Sequence, residues 1–193
     1  VAGNAGERLG LVLKERGFET RLIRLPAGET RINTKVYEQE EGLLTELNEL
    51  GPPATREAIE DLRRALEEEI RTGDMVVFSG SLPPGCPPDT YAVLGRELRE
   101  RGVRVVIDTS GAALRESLTV PPYVMKPNLE EARELVGLPR DAAPADVARS
   151  VGRLWKEQAG QGTCDALILT LGEEGAIFFT REGTFQTVGP KER

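Results

Sequence analysis

Three polar side chains alternate along an early segment of the chain. Arg31, Asn33 and Lys35 lie in residues 28–35, which read as a short strand. Successive side chains of a strand point to opposite faces, so these three share one face. A guanidinium, an amide and an ammonium group together suit a phosphorylated polyol, because they offer a fork for the phosphate and partners for hydroxyls. A solvated edge strand would show the same pattern, and this segment alone leaves both interpretations open.

Two further segments place hydroxyls and a carboxylate where strands end. Residues 78–85 leave a strand into a proline-stiffened turn that contains Ser81, and residues 107–111 end another strand with Asp108. Ligands of open α/β sheets gather at the carboxyl ends of strands. Ser81 either hydrogen-bonds a substrate or simply belongs to the turn. Asp108 either holds Mg²⁺ through water or accepts an amide at a helix start, and we favour the helix start.

A third segment combines a lysine with an Asn-x-x-Glu pattern. Asn128 and Glu131 have the spacing of a capping box, with Asn128 as N-cap. The competing interpretation puts Lys126 and Asn128 at nucleotide phosphates and Glu131 near a hydrated Mg²⁺, which prefers oxygen ligands. Both interpretations can hold at once, because a capped helix start also offers amides to an anion.

A fourth segment, residues 169–176, reads as a strand, a turn bounded by Gly172 and Gly175, and a second strand. It matches neither a Walker loop nor a GxGxxG fingerprint. A tight hairpin accounts for both glycines, and so does the close approach of a nucleotide to the backbone.

The amino-acid composition limits the catalytic mechanisms and the kinds of site that this chain can form. The chain has no histidine and only two cysteines, Cys86 and Cys164, without CxxC spacing. Ser-His and Cys-His nucleophile pairs are therefore excluded, and neither a disulfide framework nor a structural zinc site is indicated. The net charge of −7 argues against a sequence-independent nucleic-acid binder. An anionic small ligand remains compatible where cations cluster locally.

Length and hydropathy predict a globular protein. The 193 residues, 39% of them apolar, suffice for a buried core. The chain begins with Val1, shows no signal pattern and has no apolar run near the roughly 20 residues that span a bilayer. We expect a cytoplasmic protein without a membrane partner.

Strand and helix patterns alternate along the chain, and these elements must position the polar segments. Apolar, non-alternating strands are expected at 75–78, 103–107, 123–125 and 166–171, with helices between them. This order is typical of a parallel sheet flanked by helices. Around this core the sequence predicts a helix at 4–16, strands at 18–25, 29–37 and 45–48, a helix capped by Thr55, one capped by Asp89, and a final hairpin at 176–180 and 184–188.

The combination of these motifs resembles the ribokinase-like (PfkB) sugar kinases, closest to the branch of 1-phosphofructokinase and tagatose-6-phosphate kinase. The motifs are GETRIN at 28–33, SGSLPPG at 79–85, VIDTSG at 106–111, VMKPNLEEA at 124–132 and LTLGEEGA at 169–176. The resemblance implies a three-layer α/β/α sandwich with a small β lid. In our interpretation residues 1–28 and 51–193 form an incomplete nucleotide-binding core and residues 29–50 form the lid.

The resemblance also implies an activity, which is ATP-dependent phosphorylation of a ketose phosphate with Mg²⁺, fructose 1-phosphate being the expected acceptor. It implies that Arg31 and Ser81 contact the sugar phosphate, to which the residue pattern adds Asn33. The implied nucleotide-binding residues are Lys126, Asn128, Thr170, Gly172 and Gly175, and Glu131 belongs to the magnesium region. We further expect a homodimer through the lid strands, because an edge hairpin offers unpaired backbone groups.

The chain departs from the family pattern in two motifs. The amino-terminal glycine-rich signature with its substrate-binding Asp and the Gly-Ala-Gly-Asp signature with the catalytic Asp do not occur in these 193 residues. We therefore expect a fragment, truncated at both ends, with little or no kinase activity by itself. The alternatives are tagatose-6-phosphate kinase or another PfkB sugar kinase, and, in another class, a non-catalytic protein that binds sugar phosphate or nucleotide.

Overall fold

The computed structural model describes residues 1–120, 122–160 and 164–189 of the chain. The chain forms two compact units. The first comprises Val1–Glu69 and Leu82–Cys86, and the second comprises Ile70–Ser81 and Pro87–Arg193.

Two helices and a β-hairpin make up the regular structure of the first unit: α1 (Gly3–Glu15), β1 (Asn33–Glu38), β2 (Leu43–Asn48) and α2 (Arg56–Glu69). The Glu29 carboxylate accepts hydrogen bonds from the Asn4 and Ala5 amides at 3.1 and 3.0 Å, which satisfies donors at the first turn of α1. Thr55 caps α2, as the sequence predicts, because its Oγ1 accepts from the Ala58 amide at 3.2 Å.

The hairpin pairs antiparallel strands in a register that places Asn33 opposite Asn48 and Lys35 opposite Glu46. Lys35 and Glu46 form a salt bridge of 2.7 Å. The strand begins at Asn33, so Arg31 precedes it, and the three-residue polar face of the sequence analysis is formed only by Asn33 and Lys35.

The strand expected at 18–25 is wrong, since these residues are not in regular structure. The Phe18 amide donates back to the Leu13 carbonyl of α1 at 3.0 Å, and Val1 bonds to the other end of the stretch: its ammonium donates to the Ile23 carbonyl at 2.7 Å and its carbonyl accepts from the Leu25 amide at 2.8 Å. A single residue on one side gives too few ladder bonds to make a strand.

The second unit is a six-stranded mixed sheet with helices. Its strands are β3 (Met75–Ser79), β4 (Arg104–Asp108), β5 (Val124–Met125), β6 (Ala166–Thr170), β7 (Ala176–Thr180) and β8 (Gly183–Thr187), adjacent in that order. The first four, β3 to β6, pair in parallel, β7 pairs antiparallel with β6, and β8 pairs antiparallel with β7. The mostly parallel α/β sheet and its terminal hairpin are therefore as the sequence predicts.

Four helices lie between successive parallel strands. They are α3 (Thr90–Glu100) between β3 and β4, α4 (Gly111–Glu116) between β4 and β5, and α5 (Leu129–Leu135) and α6 (Pro144–Gly160) between β5 and β6. They bury one face of the sheet, whose side chains come from alternate strand positions: Val76, Phe78, Val105, Ile107, Met125, Leu167, Leu169 and Phe179. Leu94 and Leu98 of α3 face this core, as expected. Asp89 stands at the N-cap position of α3 but makes no capping bond with its side chain, unlike the prediction.

The opposite face of the sheet is much more open. Met75 and Val77 of β3 are 49% and 55% exposed, and Phe185 of β8 is 51% exposed. Between them lie half-buried apolar residues of the central strands, including Val106, Val124 and Ile168. Parallel strands usually carry apolar residues on both faces because both faces are covered, so this surface has the composition of a buried one.

Candidate functional site

The carboxyl ends of four neighbouring strands form one rim of the second unit. Backbone hydrogen bonds tie the segments together: the Gly80 amide donates to the Asp108 carbonyl at 2.9 Å, and the Lys126 amide to the Ile107 carbonyl at 3.0 Å. The Thr170 amide donates to the Pro127 carbonyl, also at 3.0 Å. The structure thus brings together the strand ends that carry Ser81, Lys126, Asn128 and Thr170.

Three glycines at this rim have positive φ, namely Gly80 (+90°), Gly111 (+60°) and Gly172 (+59°). A Cβ added at any of them would meet no heavy atom within 4 Å. The backbone is therefore accessible at the ends of β3, β4 and β6, which is the arrangement needed for close approach of a ligand to the main chain.

Lys126 and Asp108 form an ion pair at this rim. The Lys126 Nζ lies 2.9 Å from Asp108 Oδ1, and each side chain is a little more than one-third exposed. The side chain of Ser110, the N-cap residue of α4, makes no capping bond. The Asp108 carboxylate pairs with Lys126 and does not have the role at the helix start that the sequence favours. The pair holds an ammonium group beside the end of β5.

Asn128 and Glu131 form the complete capping box that the sequence predicts. The Asn128 Oδ1 accepts from the Glu131 amide at 2.9 Å, and Glu131 Oε2 accepts from the Asn128 amide at 2.8 Å. The box begins α5, whose Ala132 is fully buried. The start of this helix is consequently fixed in place at the rim.

The donor set near Glu131 fits one mode of Mg²⁺ binding. Within the described ranges, no group of three or more His, Cys, Asp or Glu side chains could hold a metal ion. A hydrated Mg²⁺ bound through one carboxylate and substrate phosphates needs no such cluster.

A cavity of about 510 Å³ lies beside α5 and is bordered by Asn128 and Glu131, two of the residues assigned to nucleotide and magnesium. Its remaining lining is mostly charged: Ser110, Glu130, Arg133, Glu134, Leu138 and Arg140. The guanidinium of Arg133 is engaged, because it donates to the Ala142 carbonyl at 2.9 Å. The cavity therefore adjoins the rim on the side of α5.

Gly172 and Gly175, in the turn between β6 and β7, differ in the space around their Cα atoms. A Cβ on Gly175, where φ is +97°, would lie 2.2 Å from the Thr187 carbonyl oxygen. Gly175 is therefore required by the packing of its own hairpin, whereas the space around Gly172 is open. The nucleotide-binding roles predicted for Thr170, Gly172 and Gly175 stay predictions.

Arg31 and Asn33 belong to the first unit and Ser81 to the second. Arg31 is half-buried, and a Cβ on Gly51 would lie 3.4 Å from the Arg31 Cβ. Asn33 is exposed at the start of β1. Their joint contact with one ligand stays a prediction.

Two further residues lie at the rim and are not among the functional residues predicted from the sequence. The Thr109 hydroxyl donates to the Gly80 carbonyl at 2.9 Å, and the Tyr91 hydroxyl donates to the same carbonyl at 3.2 Å. The position of Thr109 directly after a strand was a usable signal. Tyr91 gave none, because its contact depends on how α3 packs against β3.

The two thiols lie outside this arrangement. Burial raises the pKa of Cys164 to about 11, and it also raises the pKa of half-buried Cys86. Thiols with raised pKa values are poor nucleophiles at neutral pH.

Among the described residues, no helix is long and apolar enough to cross a membrane.

Comparisons with known proteins agree with this geometry. The family model of the pfkB family carbohydrate kinases matches residues 2–193. A 1-phosphofructokinase of Bacillus subtilis is 33% identical over 99% of this chain and 59% of its own length. A tagatose-6-phosphate kinase of Staphylococcus epidermidis is 31% identical over 92% of this chain and 56% of its own.

The crystal structure of phosphofructokinase-2 from Escherichia coli in complex with fructose-6-phosphate superposes with a TM-score of 0.86. It is 26% identical, and the match covers 100% of this chain and 62% of that one. The fold is therefore a ribokinase-like α/β fold, and the chain belongs to the pfkB family of carbohydrate kinases. It spans a little more than half the length of the relatives it matches.

Proposed function

We propose that the protein carrying this chain transfers the γ-phosphoryl group of ATP to a hydroxyl of a ketose phosphate, with fructose 1-phosphate as the preferred acceptor. The observation that carries the proposal is the rim of the second unit, where Lys126 and the capped helix start at Asn128 follow β5, between the ends of β4 and β6. Relatives named 1-phosphofructokinase support the choice of acceptor.

The rim suits an anionic nucleotide. Lys126 supplies an ammonium group that Asp108 holds at the end of β5, and the capped start of α5 at Asn128 lies two residues further along the chain. We propose that Lys126, Asn128, Thr170, Gly172 and Gly175 bind the nucleotide. Glu131 would hold Mg²⁺ through water, and the bound ion would neutralise phosphate charge.

For the acceptor we propose that Arg31, Asn33 and Ser81 bind the sugar phosphate. Arginine suits this task because its planar guanidinium matches the geometry of a phosphate. Phosphoryl transfer depends on positioning and charge neutralisation, so the absence of histidine is no obstacle. The division into a core and a lid of residues 29–50, and a cytoplasmic location, stay predictions.

Tagatose 6-phosphate is the second candidate acceptor, because a relative of that name matches at similar identity. A non-catalytic protein that binds sugar phosphate or nucleotide on the same fold is the candidate from another class. The kinase turns over ATP and sugar phosphate, whereas the non-catalytic protein only binds its ligand. The two kinase candidates differ only in the sugar phosphate that they accept.

A coupled ADP-release assay on the protein expressed from its own gene tests these alternatives. We expect ATP-dependent turnover with fructose 1-phosphate, and a higher kcat/KM for it than for tagatose 6-phosphate or fructose 6-phosphate. Arg31→Ala should raise KM for the acceptor, whereas Arg16→Ala, at the exposed end of α1, should not. Binding of both ligands without turnover would instead indicate the non-catalytic protein.

We also propose a homodimer that forms through the β1–β2 hairpin. One hairpin face carries Val36, Leu43 and Leu47, which are 51%, 53% and 59% exposed. An isolated two-stranded hairpin is marginally stable in water, so an apolar face of this kind favours a partner. Structures of phosphofructokinase-2 from Escherichia coli include a tetrameric inhibited form.

Light scattering of the wild-type protein and of a Leu47→Lys variant tests the dimer. We expect a dimer for the wild type and a monomer for the variant, because the lysine would place a charge in the apolar contact. A control, Gln39→Lys, adds the same charge in the exposed turn and should leave the dimer intact. A monomeric wild type at tens of micromolar would contradict the proposal.

A further inference from the structure

The peptide groups of Gly80 are tied down at the end of β3. Its N–H donates to the Asp108 carbonyl at 2.9 Å. Its carbonyl accepts from the Thr109 hydroxyl at 2.9 Å and from the Tyr91 hydroxyl at 3.2 Å. One backbone carbonyl thus receives two side-chain hydroxyls, which come from different elements of the second unit.

The space around the Cα of Gly80 is open. Its φ is +90°, and an added Cβ would meet no heavy atom within 4 Å. Glycine visits positive and negative φ with similar ease, so sterics leave alternative orientations open at this position. Hydrogen bonds must therefore select the orientation of the peptide that follows.

That peptide joins Gly80 to Ser81. A trans peptide is planar, and its N–H points opposite to its carbonyl. Because the Gly80 carbonyl is aimed at Thr109 and Tyr91, the Ser81 N–H is aimed the other way. The two hydroxyls consequently set the direction in which the chain presents Ser81.

The two donors are themselves well anchored. Thr109 is 3% exposed, and its β-branched side chain has restricted rotamers. The ring of Tyr91 stacks on Phe78, with centroids 5.0 Å apart and planes inclined by 16°. Phe78 belongs to the buried face of β3, so the phenol is held against the same strand that ends at Gly80.

We propose that Thr109, assisted by Tyr91, is a positioning residue that holds the Gly80–Ser81 peptide in the orientation in which Ser81 contacts the anionic acceptor. This inference rests on the proposed function, and it adds a residue that acts through the backbone. Thr109 itself is buried and takes no part in the contact with substrate.

Steady-state kinetics of the protein expressed from its own gene test the proposal. Thr109→Val removes the hydroxyl and keeps the shape, and we expect KM for the sugar phosphate to rise about threefold to tenfold, the range for one neutral hydrogen bond. KM for ATP should stay within about twofold. Thr109→Ser, which keeps the hydroxyl, should restore KM, and Tyr91→Phe should give a smaller rise than Thr109→Val.

The matched control is Thr72→Val. Thr72 also donates from its hydroxyl to a backbone carbonyl, that of Arg101, at 2.9 Å, but it precedes β3 at the opposite end of the strand. If loss of a hydroxyl acted only through stability, both valine variants would lower the melting temperature and neither would change KM. A KM of Thr109→Val equal to that of Thr72→Val would overturn the proposal.

A second readout needs no activity. Hydrogen exchange of the Gly80 amide, which donates to the Asp108 carbonyl, should quicken in Thr109→Val and remain as in wild type in Thr72→Val, as followed by NMR in the absence of substrate. A wild-type protein that turns over no ketose phosphate would refute the proposed function, and the exchange result would still decide the role of Thr109. Unchanged exchange in Thr109→Val would reject that role.

Discussion

Asn128 allows its structural and its nucleotide-binding roles to be separated by two substitutions. Asp is as good an N-cap as Asn, whereas Ala is a poor one. Asn128→Asp should therefore keep the bond to the Glu131 amide, now 2.9 Å long, while placing a negative charge where we propose nucleotide phosphates. Asn128→Ala should lose the cap and add no charge.

The magnitudes follow from the capping box and from Coulomb's law. Loss of the cap in Asn128→Ala should lower the free energy of unfolding by about 1 kcal/mol, within the usual range for N-caps. Asn128→Asp should leave it nearly unchanged. Asn128 is exposed, so a carboxylate about 5 Å from a phosphate charge should cost between the values for water and for a protein surface, roughly 1 to 3 kcal/mol.

Urea unfolding and calorimetric titration with Mg·ATP measure the two effects separately. The expected result for Asn128→Asp is wild-type stability with nucleotide affinity reduced about 5- to 150-fold. For Asn128→Ala we expect reduced stability and a smaller loss of affinity. Wild-type affinity in Asn128→Asp would refute the reasoning, because it would mean that Asn128 only caps the helix.

Three further predictions concern packing, reactivity and pH. Gly175→Ala should lower the free energy of unfolding by at least about 2 kcal/mol in urea, since its Cβ would overlap the Thr187 carbonyl, and Gly172→Ala, with open space, by about 1 kcal/mol. Ellman's reagent at pH 8 should modify half-buried Cys86 before buried Cys164, whose pKa is raised to about 11, and equal rates in the native protein would contradict this order. The hydrogen bond from Lys35 lowers the pKa of Glu46. The charged carboxylate therefore stabilises the hairpin at pH values above the ordinary glutamate pKa, and this stabilisation is lost as the pH falls through the lowered pKa. An NMR titration should give the lowered pKa of Glu46 in the wild type and, in Lys35→Met, a pKa closer to the ordinary range.

The strands and caps set by local pattern could be predicted from the sequence. Met75–Ser79 and Arg104–Asp108 are short apolar runs between turn residues, and the capping box at Asn128 depends on residues only three apart. Their bounds differ from prediction by one residue. The fold class followed from the alternation of such runs with helical patterns.

Long-range pairing explains what the sequence could not predict. Residues 18–25 have the composition of a strand, but a strand also needs a neighbouring strand, and the backbone bonds of this stretch go to Val1 and, from Phe18, back to Leu13 of α1. Asp108 is a plausible helix cap by its position, yet it pairs with Lys126, which is 18 residues away and adjacent only because β4 and β5 are paired. Such partners become visible once the sheet order is known.

The open face of the sheet has a consequence for handling the protein. Met75, Val77 and Phe185 stand on a surface that also carries Val106, Val124 and Ile168, and exposed apolar patches of this kind promote association. Dyes such as ANS should fluoresce on the purified chain, and chaperones that capture sticky surfaces should copurify with it. Recombinant yield will then depend on shielding that surface during synthesis, more than on the loops that would meet a nucleotide.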